Sequence, residues 1–559
     1  MKNIEFNLLD EKWILMRKSD CEVDELSLTD ALIRSHEYTG LAGELPTQDV
    51  SILRLMLAVL HTVFSRYSPD GQEKPLEKPQ DALNRWSELW DAGKFPERPI
   101  REYLASQHEK FWLFHPERPF YQTNAAKIGT SYTSAKLNGI VSESNNKTRL
   151  FESCSRVAKD TLSYPEAARW LLHLNNYDDT SAKPKSEAAK TKSKAAKTKG
   201  EKLGYGWLGK LGMIYVNGDT LFETLMLNLI ILNPSSWETW KSEKPTWELG
   251  APRTEERCEI AIPDNLSELY TLQSRRIILH RDNGRVDGYS LLGGDFFDPT
   301  DAFCEQMTTW KRVKENNRDK IKFEPATHDS AKQAWREFSS TFSKIDSTRS
   351  PGVVSWIDYI RGAHLIEKKK FIKFNIVSIQ YGDKGSSVNE IFSDSLSFHV
   401  DVLTKLGLRW REKINSEIEL INKVALAVGF LCGDIQIAAG LKYSPKDAQS
   451  KKAIEELKGH AREQFYYSID VPFREWLASI DPSWTGDDEC AHLKKWRDTA
   501  KKIALNIGRN LVESAGTAAI VGRMGKNPEG EDKYYSAAKA YENFVRIIKI
   551  IYPQEDNNG

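Results

Sequence analysis

Hydrophobic and polar positions follow two different patterns along the chain, and the change falls near residue 394. Before it, short runs such as 4–9 (IEFNLL) and 370–380 (KFIKFNIVSIQ) are typical of strands and are interspersed with helical segments. The residues from Val50 to Phe64 are apolar nearly all round, which predicts a buried core helix that starts near Pro46. We therefore predict a mixed α+β domain over residues 1–393.

After residue 394 the apolar positions recur at intervals of three and four, which places them on one face of a helix. One such stripe comprises Leu493, Trp496, Ala500, Ile503 and Ile507. Breaks at Gly, Pro and Asp divide the region into four helical segments, 396–440, 446–480, 488–516 and 532–552. The predicted fold class is thus α+β, with a large mixed N-terminal domain followed by a C-terminal four-helix bundle over residues 394–559.

Two segments of the first domain have little periodicity and are predicted as long loops. Residues 119–148 are rich in Ser, Thr, Asn and Gly, and residues 181–206 begin with a low-complexity stretch of Lys and Ala. Loops of this length are usually either functional or disordered. A hairpin is predicted over 271–293, because Asp282-Asn283-Gly284 is a typical turn between two apolar runs.

Composition excludes several classes of protein. The 559 residues include 16 Trp, 20 Tyr and 22 Phe, so the chain is not disordered throughout. Its longest uninterrupted apolar run, Val424–Gly433, is half the length of a membrane-spanning helix, and acidic residues occupy the positions where a signal peptide needs an apolar region. The six cysteines lie far apart, with no CxxC pair. We expect a cytoplasmic protein without a membrane span, a disulfide framework or a bound metal.

The zero net charge conceals two basic regions. Residues 183–202 contain eight lysines and two glutamates, and residues 491–512 contain six basic residues and one acidic residue. Binding to a phosphate backbone depends on local positive potential, so a neutral average does not exclude nucleic acid as a partner. The alternative interpretations are a solvated linker for the first region and a solvated helix face for the second.

Local catalytic motifs are missing from the sequence. Gly204, Gly206 and Gly209 match the GxGxxG spacing of dinucleotide-binding proteins, but a strand and not a helix is predicted to follow, which favours a flexible loop. No HExxH, GxSxG or P-loop sequence occurs. We therefore predict no catalytic residues and no cofactor. An active site assembled from residues distant in the sequence stays open as an alternative.

Several blocks resemble the large subunit of the type I-E CRISPR Cascade complex, the CasA family. They are FNLLDEKWI (6–14), LTDALIRSHEYTGLAGELPTQDVSILRLMLAVLH (28–61), PFYQ (119–122), SNNKTRLF (144–151), PEAARWLL (165–172), YVNGDTLFETLMLN (215–228), LQSRRIIL (272–279) and AREQFYYSIDVPFREWL (461–477). The resemblance covers nearly the whole chain. LAGELPTQDV (41–50) is its most specific part.

The resemblance implies a non-catalytic subunit of an RNA-guided antiviral complex. Such a subunit recognises the protospacer-adjacent motif of double-stranded target DNA, largely from the minor groove. It promotes opening of the duplex and R-loop formation while the guide RNA reads the remaining sequence. The implied partners are the target DNA, the 5′ end of the guide RNA, other Cascade subunits and a helicase–nuclease.

The family's binding segments can be carried over to this sequence by position. The loop at the 5′ end of the guide corresponds to Gln122, Asn145, Asn146 and Lys147. The glycine-rich loop at the minor groove corresponds to Lys197, Lys199, Gly200, Lys202, Gly204 and Gly206. The hairpin that wedges the duplex open corresponds to Asp383, Lys384, Gly385 and Ser386. For the bundle the resemblance implies only a general role in holding the DNA. Its candidate contacts to the DNA backbone come from the charge pattern of the third helical segment, where Lys495, Lys502 and Arg509 recur every seven residues beside Lys494, Arg497 and Lys501.

The sequence departs from the family in two places. Gly293 and Gly294 stand where relatives carry a lysine that contacts motif bases, so this role is not carried over, and Lys384 and Gly385 stand at the tip of the wedge, where some relatives carry Asn and Gln. Two other functions stay open beside the resemblance. One is a stand-alone nucleic-acid-processing enzyme with dispersed active-site residues, and the other is a purely structural interaction protein.

Overall fold

The computed structural model describes residues 4–138, 161–178, 204–257, 259–314, 321–343, 349–367, 370–382 and 388–553. The chain forms two compact units. The first consists of Met1–Glu367 and Ile372–Leu396, and the second of Lys368–Phe371 and Ser397–Gly559. The main division thus falls between residues 396 and 397, compared with the expected boundary at 393/394.

Helices and strands are mixed through the first unit, as expected for an α+β fold. Its helices are α1 (Leu28–Ile33), α2 (Pro46–Arg66), α3 (Pro79–Asp91), α4 (Glu97–Ser106), α5 (Ser134–Leu137), α6 (Tyr164–Tyr177), α7 (Leu221–Asn228), α8 (Leu266–Tyr270), α9 (Phe338–Phe342) and α10 (Gly352–Gly362). The strands that lie wholly or mainly in it are β1 (Glu5–Asn7), β2 (Ile14–Arg17), β3 (Val23–Leu26), β4 (Gly40–Leu41), β5 (Trp112–Phe114), β6 (Thr130–Thr133), β7 (Met213–Asn217), β8 (Arg275–Asp282), β9 (Arg285–Gly293), β10 (Thr309–Lys314), β11 (Ile321–Ala326), β12 (Phe371–Tyr381) and β13 (Val388–His399).

The strands form several small sheets and no single large one within the described residues. The three-stranded sheets have the orders β3-β2-β4, β6-β9-β8 and β13-β12-β7, and β1-β5 and β10-β11 are two-stranded. β12 pairs with β7 in antiparallel register, from Lys373 opposite Asn217 to Val377 opposite Met213. The predicted strand at 370–380 and the predicted hairpin of β8 and β9 are confirmed.

The predicted core helix is α2. Pro46 occupies its first turn, and every residue from Val50 to Phe64 is buried. Within the described residues, α2 is the one helix long and apolar enough to cross a membrane, but 94% of its most apolar window is buried inside the protein. An all-round apolar sequence here therefore marks the centre of the first unit's core.

The predicted loop at 119–148 is wrong for its first part. Thr130–Thr133 form strand β6, which pairs with β9, and Ser134–Leu137 form helix α5. The strand is short, and its residues are all Thr, Ser or Tyr, so the sequence shows no apolar alternation there. Residues 139–148 lie outside the described part of the chain.

The second unit is built mainly from four long helices, α11 (Leu408–Ala439), α12 (Ala448–Ala478), α13 (Asp487–Glu513) and α15 (Ala537–Ile551), with a short helix α14 (Thr517–Val521). The hairpin β14 (Arg523–Lys526) and β15 (Asp532–Tyr535) lies between α14 and α15. Two predicted helix starts are wrong. Residues 388–399 belong to strand β13, so α11 starts only after Gly407, and the hairpin delays the last helix to Ala537.

Candidate nucleic-acid interface

The described residues on either side of the lysine-rich segment, Asp178 and Gly204, are held by one buried arginine on β8. The Arg275 Nε donates to Asp178 Oδ2 over 2.5 Å, and its Nη2 donates to the carbonyl oxygen of Gly204 over 2.8 Å. The side chains of Arg275 and Asp178 are 0% and 1% exposed. The end of α6 and the chain that leads into β7 are therefore joined in the core. The predicted DNA contacts Lys197, Lys199, Gly200 and Lys202 lie outside the described residues.

Residues 204–209 form a closely packed base against the core, where an open loop was predicted. Gly204 has a φ of +70°, which favours glycine. A Cβ on Gly206 would lie 2.3 Å from the carbonyl oxygen of Asn176, so only glycine lets this segment pack against the backbone of α6. Residues Trp207–Lys210 form a 3₁₀ turn. The GxGxxG spacing thus reflects close packing and not a dinucleotide site.

Trp207 links this base to the core helix. Its indole Nε1 donates to Glu305 Oε2 over 2.8 Å, and the same carboxylate accepts two hydrogen bonds of 2.9 Å from Arg54 of α2. The Arg54 and Glu305 side chains are 2% and 0% exposed. Since both charges are buried and paired, any displacement of Trp207 disturbs a desolvated ion pair.

The same base meets the end of β12. The rings of Tyr205 and Tyr381 stack with their centroids 3.7 Å apart and an interplanar angle of 7°. Tyr381 is the last residue of β12, and its hydroxyl donates to the carbonyl oxygen of Tyr177 over 2.8 Å. β12 and β13 are neighbours in one sheet and flank the predicted wedge hairpin. The predicted wedge residues Asp383, Lys384, Gly385 and Ser386 lie outside the described residues.

Lys210, beside this base, has a lowered pKa. Lys210 follows Gly209 directly and lies with its ammonium 5.7 Å from the ring of Phe296. Burial lowers the pKa of the Lys210 ammonium, and the positive charge of Arg275 lowers it further. A negatively charged group that approached Lys210 would favour its protonated form and raise this pKa again.

Gln122 is in the interior and not at the surface where a guide contact needs it. The residue is 4% exposed, its Nε2 donates to the carbonyl oxygen of Leu113 over 2.7 Å, and its Oε1 accepts from the backbone of Leu279 over 2.9 Å. Its polar atoms thus join β5 to β8. The other predicted residues of the guide-end loop, Asn145, Asn146 and Lys147, lie outside the described residues.

On α13 the six predicted cations divide into two groups. Arg497 donates to Glu417 Oε1 over 2.8 Å and 2.6 Å, and the Lys501 Nζ donates to the carbonyl oxygen of Tyr552 over 3.1 Å. Arg497 is itself exposed, so the pairing and not the exposure distinguishes it. The other four are exposed and have no ion pair in the described part of the chain: Lys494, Lys495, Lys502 and Arg509. The buried stripe on the opposite side contains Leu493, Trp496, Ala500 and Ile507, whereas Ile503 is half-buried.

The Arg497 pair serves the bundle itself. Glu417 on α11 is 1% exposed, and burial raises the pKa of its carboxyl although the Arg497 guanidinium opposes this. Arg497 therefore compensates a desolvated charge between two helices. Helical spacing could not separate it from its neighbours, since its partner is 80 residues away in the sequence.

Sequence reasoning missed the residues that organise the site: Arg275, Asp178, Tyr205 and Tyr381. Arginine at the start of an apolar strand, as in LQSRRIIL, was the available signal, because a buried arginine requires a buried partner. The tyrosines gave no such signal. Within the described ranges, no cluster of three or more His, Cys, Asp or Glu side chains is arranged to hold a metal ion.

The fold and the site define a class of protein. It has an α+β unit in which the chain leading into β7 and the end of β12 meet at residues 204–209, followed in the sequence by a helical bundle with exposed cations on one helix. The family model of CRISPR-associated protein Cse1 matches residues 7–507. The chain belongs to this family, which confirms the resemblance found in the sequence. It is 31% identical over 253 residues to CasA/Cse1 of Thermus thermophilus, a match that spans 44% of this chain and 42% of that protein.

Solved structures show the same fold. Cse1 of Thermobifida fusca has a TM-score of 0.77 and 27% identity, and the match covers 98% of both chains. Cse1 of Acidimicrobium ferrooxidans has a TM-score of 0.75 at 20% identity over 98% of this chain and 99% of that one. A chain of a CRISPR RNA-guided surveillance complex matches with a TM-score of 0.61, 16% identity and coverage of 97% and 99%. The predicted α+β fold class is confirmed.

Proposed function

We propose that this protein is the non-catalytic large subunit of a type I-E surveillance complex and reads the motif beside the target in double-stranded DNA. The observation that carries the proposal is the stack of Tyr205 on Tyr381. Two segments that the family resemblance assigns to motif reading and to duplex opening are far apart in the sequence. Their described bases nevertheless meet at one point, as required if both contact the same few base pairs.

Each segment has a chemical task at the DNA. Glycines let a backbone approach the floor of the minor groove, and the neighbouring lysines supply positive charge beside the two phosphate backbones. Lys384 would insert a long cation at the tip of the wedge, where the minor groove has a negative potential. The first unit thus reads a few base pairs and the shape of the duplex, and guide pairing reads the rest.

The bundle supplies contacts to the DNA backbone through the four exposed cations Lys494, Lys495, Lys502 and Arg509. Arg497 and Lys501 are withdrawn from this set, because their side chains bind Glu417 and the end of α15. Contacts of this kind add affinity without sequence preference. They suit both the duplex and the displaced strand.

The proposal includes further partners, and family membership supports it. The protein assembles in the cytoplasm with other Cascade subunits and with the 5′ end of the guide RNA, which it contacts through Asn145, Asn146 and Lys147. It also forms the docking surface for the helicase–nuclease that degrades the target. Pull-down of the helicase–nuclease by target-bound complex, with and without this subunit, tests the last assignment.

A binding assay tests the central proposal. Guide-loaded complex, assembled with or without this subunit, is mixed with duplex targets whose bases beside the protospacer are randomised, and the bound fraction is sequenced. We expect a preference of two or three bases at one flank only when the subunit is present. Binding that is indifferent to both flank and subunit contradicts the proposal and favours a purely structural role.

A further inference from the structure

The stacked tyrosines join two otherwise separate segments. Tyr205 is the second described residue after the lysine-rich segment. Tyr381 lies at the end of β12, with only Gly382 between it and the wedge residues. Their rings are nearly parallel, with an interplanar angle of 7°, and the centroid distance of 3.7 Å is that of full ring contact. Both residues are half-buried, in contrast to the buried positions 206–209 beside them.

The stack is fixed from both sides. The Tyr381 hydroxyl donates to the carbonyl oxygen of Tyr177, in the last turn of α6. A Cβ on Gly209 would lie 2.3 Å from that hydroxyl, so glycine is needed for Tyr381 to reach its position. On the other side, Tyr205 follows Gly204, whose carbonyl oxygen accepts from the buried Arg275. A shift of the Tyr381 ring therefore breaks its hydrogen bond to Tyr177, and the backbone that precedes Tyr205 is held by Arg275.

We propose that Tyr205 and Tyr381 are positioning residues that hold the described base of the motif-reading segment against the described base of the wedge. With these bases held together, recognition of the flanking bases by one segment favours engagement of the next base pairs by the other. The inference rests on the proposed function and adds to it the contact that couples recognition to opening. Neither tyrosine needs to touch DNA for this role.

The coupling predicts a specific pattern of binding constants. An aromatic pair contributes modestly to stability, so its loss leaves residues 204–209 folded while weakening the contact between the bases of the two segments. In assembled complex, Tyr205→Leu is expected to lower the ratio of affinities for preferred over non-preferred flanks by about three- to tenfold. Tyr205→Phe keeps the ring and is expected to keep the wild-type ratio. A target that is already unpaired across the protospacer should bind all variants equally.

A double-mutant cycle makes the test independent of any single variant. If the two rings act only through each other, Tyr205→Leu/Tyr381→Leu lowers the ratio no further than the stronger single variant. Tyr381→Phe removes only the hydroxyl and controls for the bond to Tyr177. Circular dichroism and thermal unfolding of each assembled variant establish that it is folded.

The outcomes separate this inference from the function on which it rests. If wild-type complex itself shows no flank preference, the proposed function fails and the inference fails with it. If the wild type discriminates but Tyr205→Leu does so equally well, only the inference is overturned. It is also overturned if the effects of the two leucine variants multiply, or if Tyr205→Leu weakens binding of the pre-opened target as much as binding of the duplex.

Discussion

Arg275 shows how one side chain fixes the chain on both sides of the lysine-rich segment. Its guanidinium bonds Asp178 and Gly204 in the core, and the Asp178 carboxylate is 1% exposed. We predict that Arg275→Met lowers the free energy of unfolding by about 3–5 kcal/mol, because the ion pair of a buried carboxylate is lost. The double variant Arg275→Met/Asp178→Leu should recover part of this loss. Chemical unfolding of the three proteins measures it, and a double variant less stable than Arg275→Met contradicts the prediction.

Asp49 provides a residue-scale test of the most specific sequence block, LAGELPTQDV. Its Oδ1 accepts from the backbone of Gly43 over 2.8 Å, and Gln48 Oε1 accepts from Glu44 over 3.1 Å, so these polar residues organise the turn before α2. Burial raises the pKa of the Asp49 carboxyl to about 7. The folded protein therefore holds a proton on Asp49 that the unfolded chain has released between about pH 4 and 7.

The raised pKa of Asp49 makes the free energy of unfolding of the wild-type protein depend on pH. A raised carboxyl pKa makes the folded state less stable as the pH rises through this window, and the Asp49→Asn variant lacks that loss while it keeps the acceptor oxygen. We predict that the stability of Asp49→Asn relative to wild type increases from pH 4 to pH 8, by up to about 4 kcal/mol. Urea unfolding at several pH values measures this difference. Asp81→Asn is the matched control, because the Asp81 carboxylate likewise accepts a backbone hydrogen bond, from Lys78 over 3.3 Å, in the first turn of α3.

Among the helices and strands, the sequence predicts those whose apolar residues recur at regular spacing. The core helix α2, the strand β12 and the helical character of the second unit all follow from apolar spacing. β6 and the β14–β15 hairpin were missed, because short strands with polar or glycine residues have no such spacing. The sequence also did not show that Arg497 and Gln122 bind other parts of the fold. Each has partners distant in the sequence, and a single sequence gives no sign of those contacts.

The bundle helix α13 separates cations that hold the fold from cations that face outwards. Glu417 is 1% exposed and Arg497 is 44% exposed, so water partly screens this pair. We predict that Arg497→Ala destabilises the protein by about 1–3 kcal/mol, less than the loss of a fully buried partner. Lys502→Ala should change stability by less than about 0.5 kcal/mol. Calorimetry of the full chain distinguishes the two, and equal effects would contradict the division.

At the scale of the whole molecule, the two compact units have different kinds of task under the proposed function. The first presents a fixed base for segments that read bases and groove shape, and such contacts determine sequence preference. The second presents exposed cations along a helix, and such contacts determine affinity and its dependence on salt. Substitutions in one unit should therefore change one property of binding and leave the other unchanged.

The salt dependence of duplex binding provides the test. Each cation that neutralises a phosphate contributes about 0.9 to the slope of log K against log salt concentration. We predict that replacing Lys494, Lys495, Lys502 and Arg509 by glutamine in assembled complex reduces the magnitude of this slope by about 1 to 4, according to how many contact phosphates. The ratio of affinities for preferred and non-preferred flanks should stay at the wild-type value, because backbone contacts carry no base information. As a control, glutamine at Lys442, Lys446, Lys451 and Lys452, elsewhere in the same unit, removes equal charge and should leave the slope nearly unchanged. Equal slopes for the wild type and the α13 variant dispose of the bundle as a DNA-binding surface, and a changed flank ratio refutes the separation of tasks between the two units.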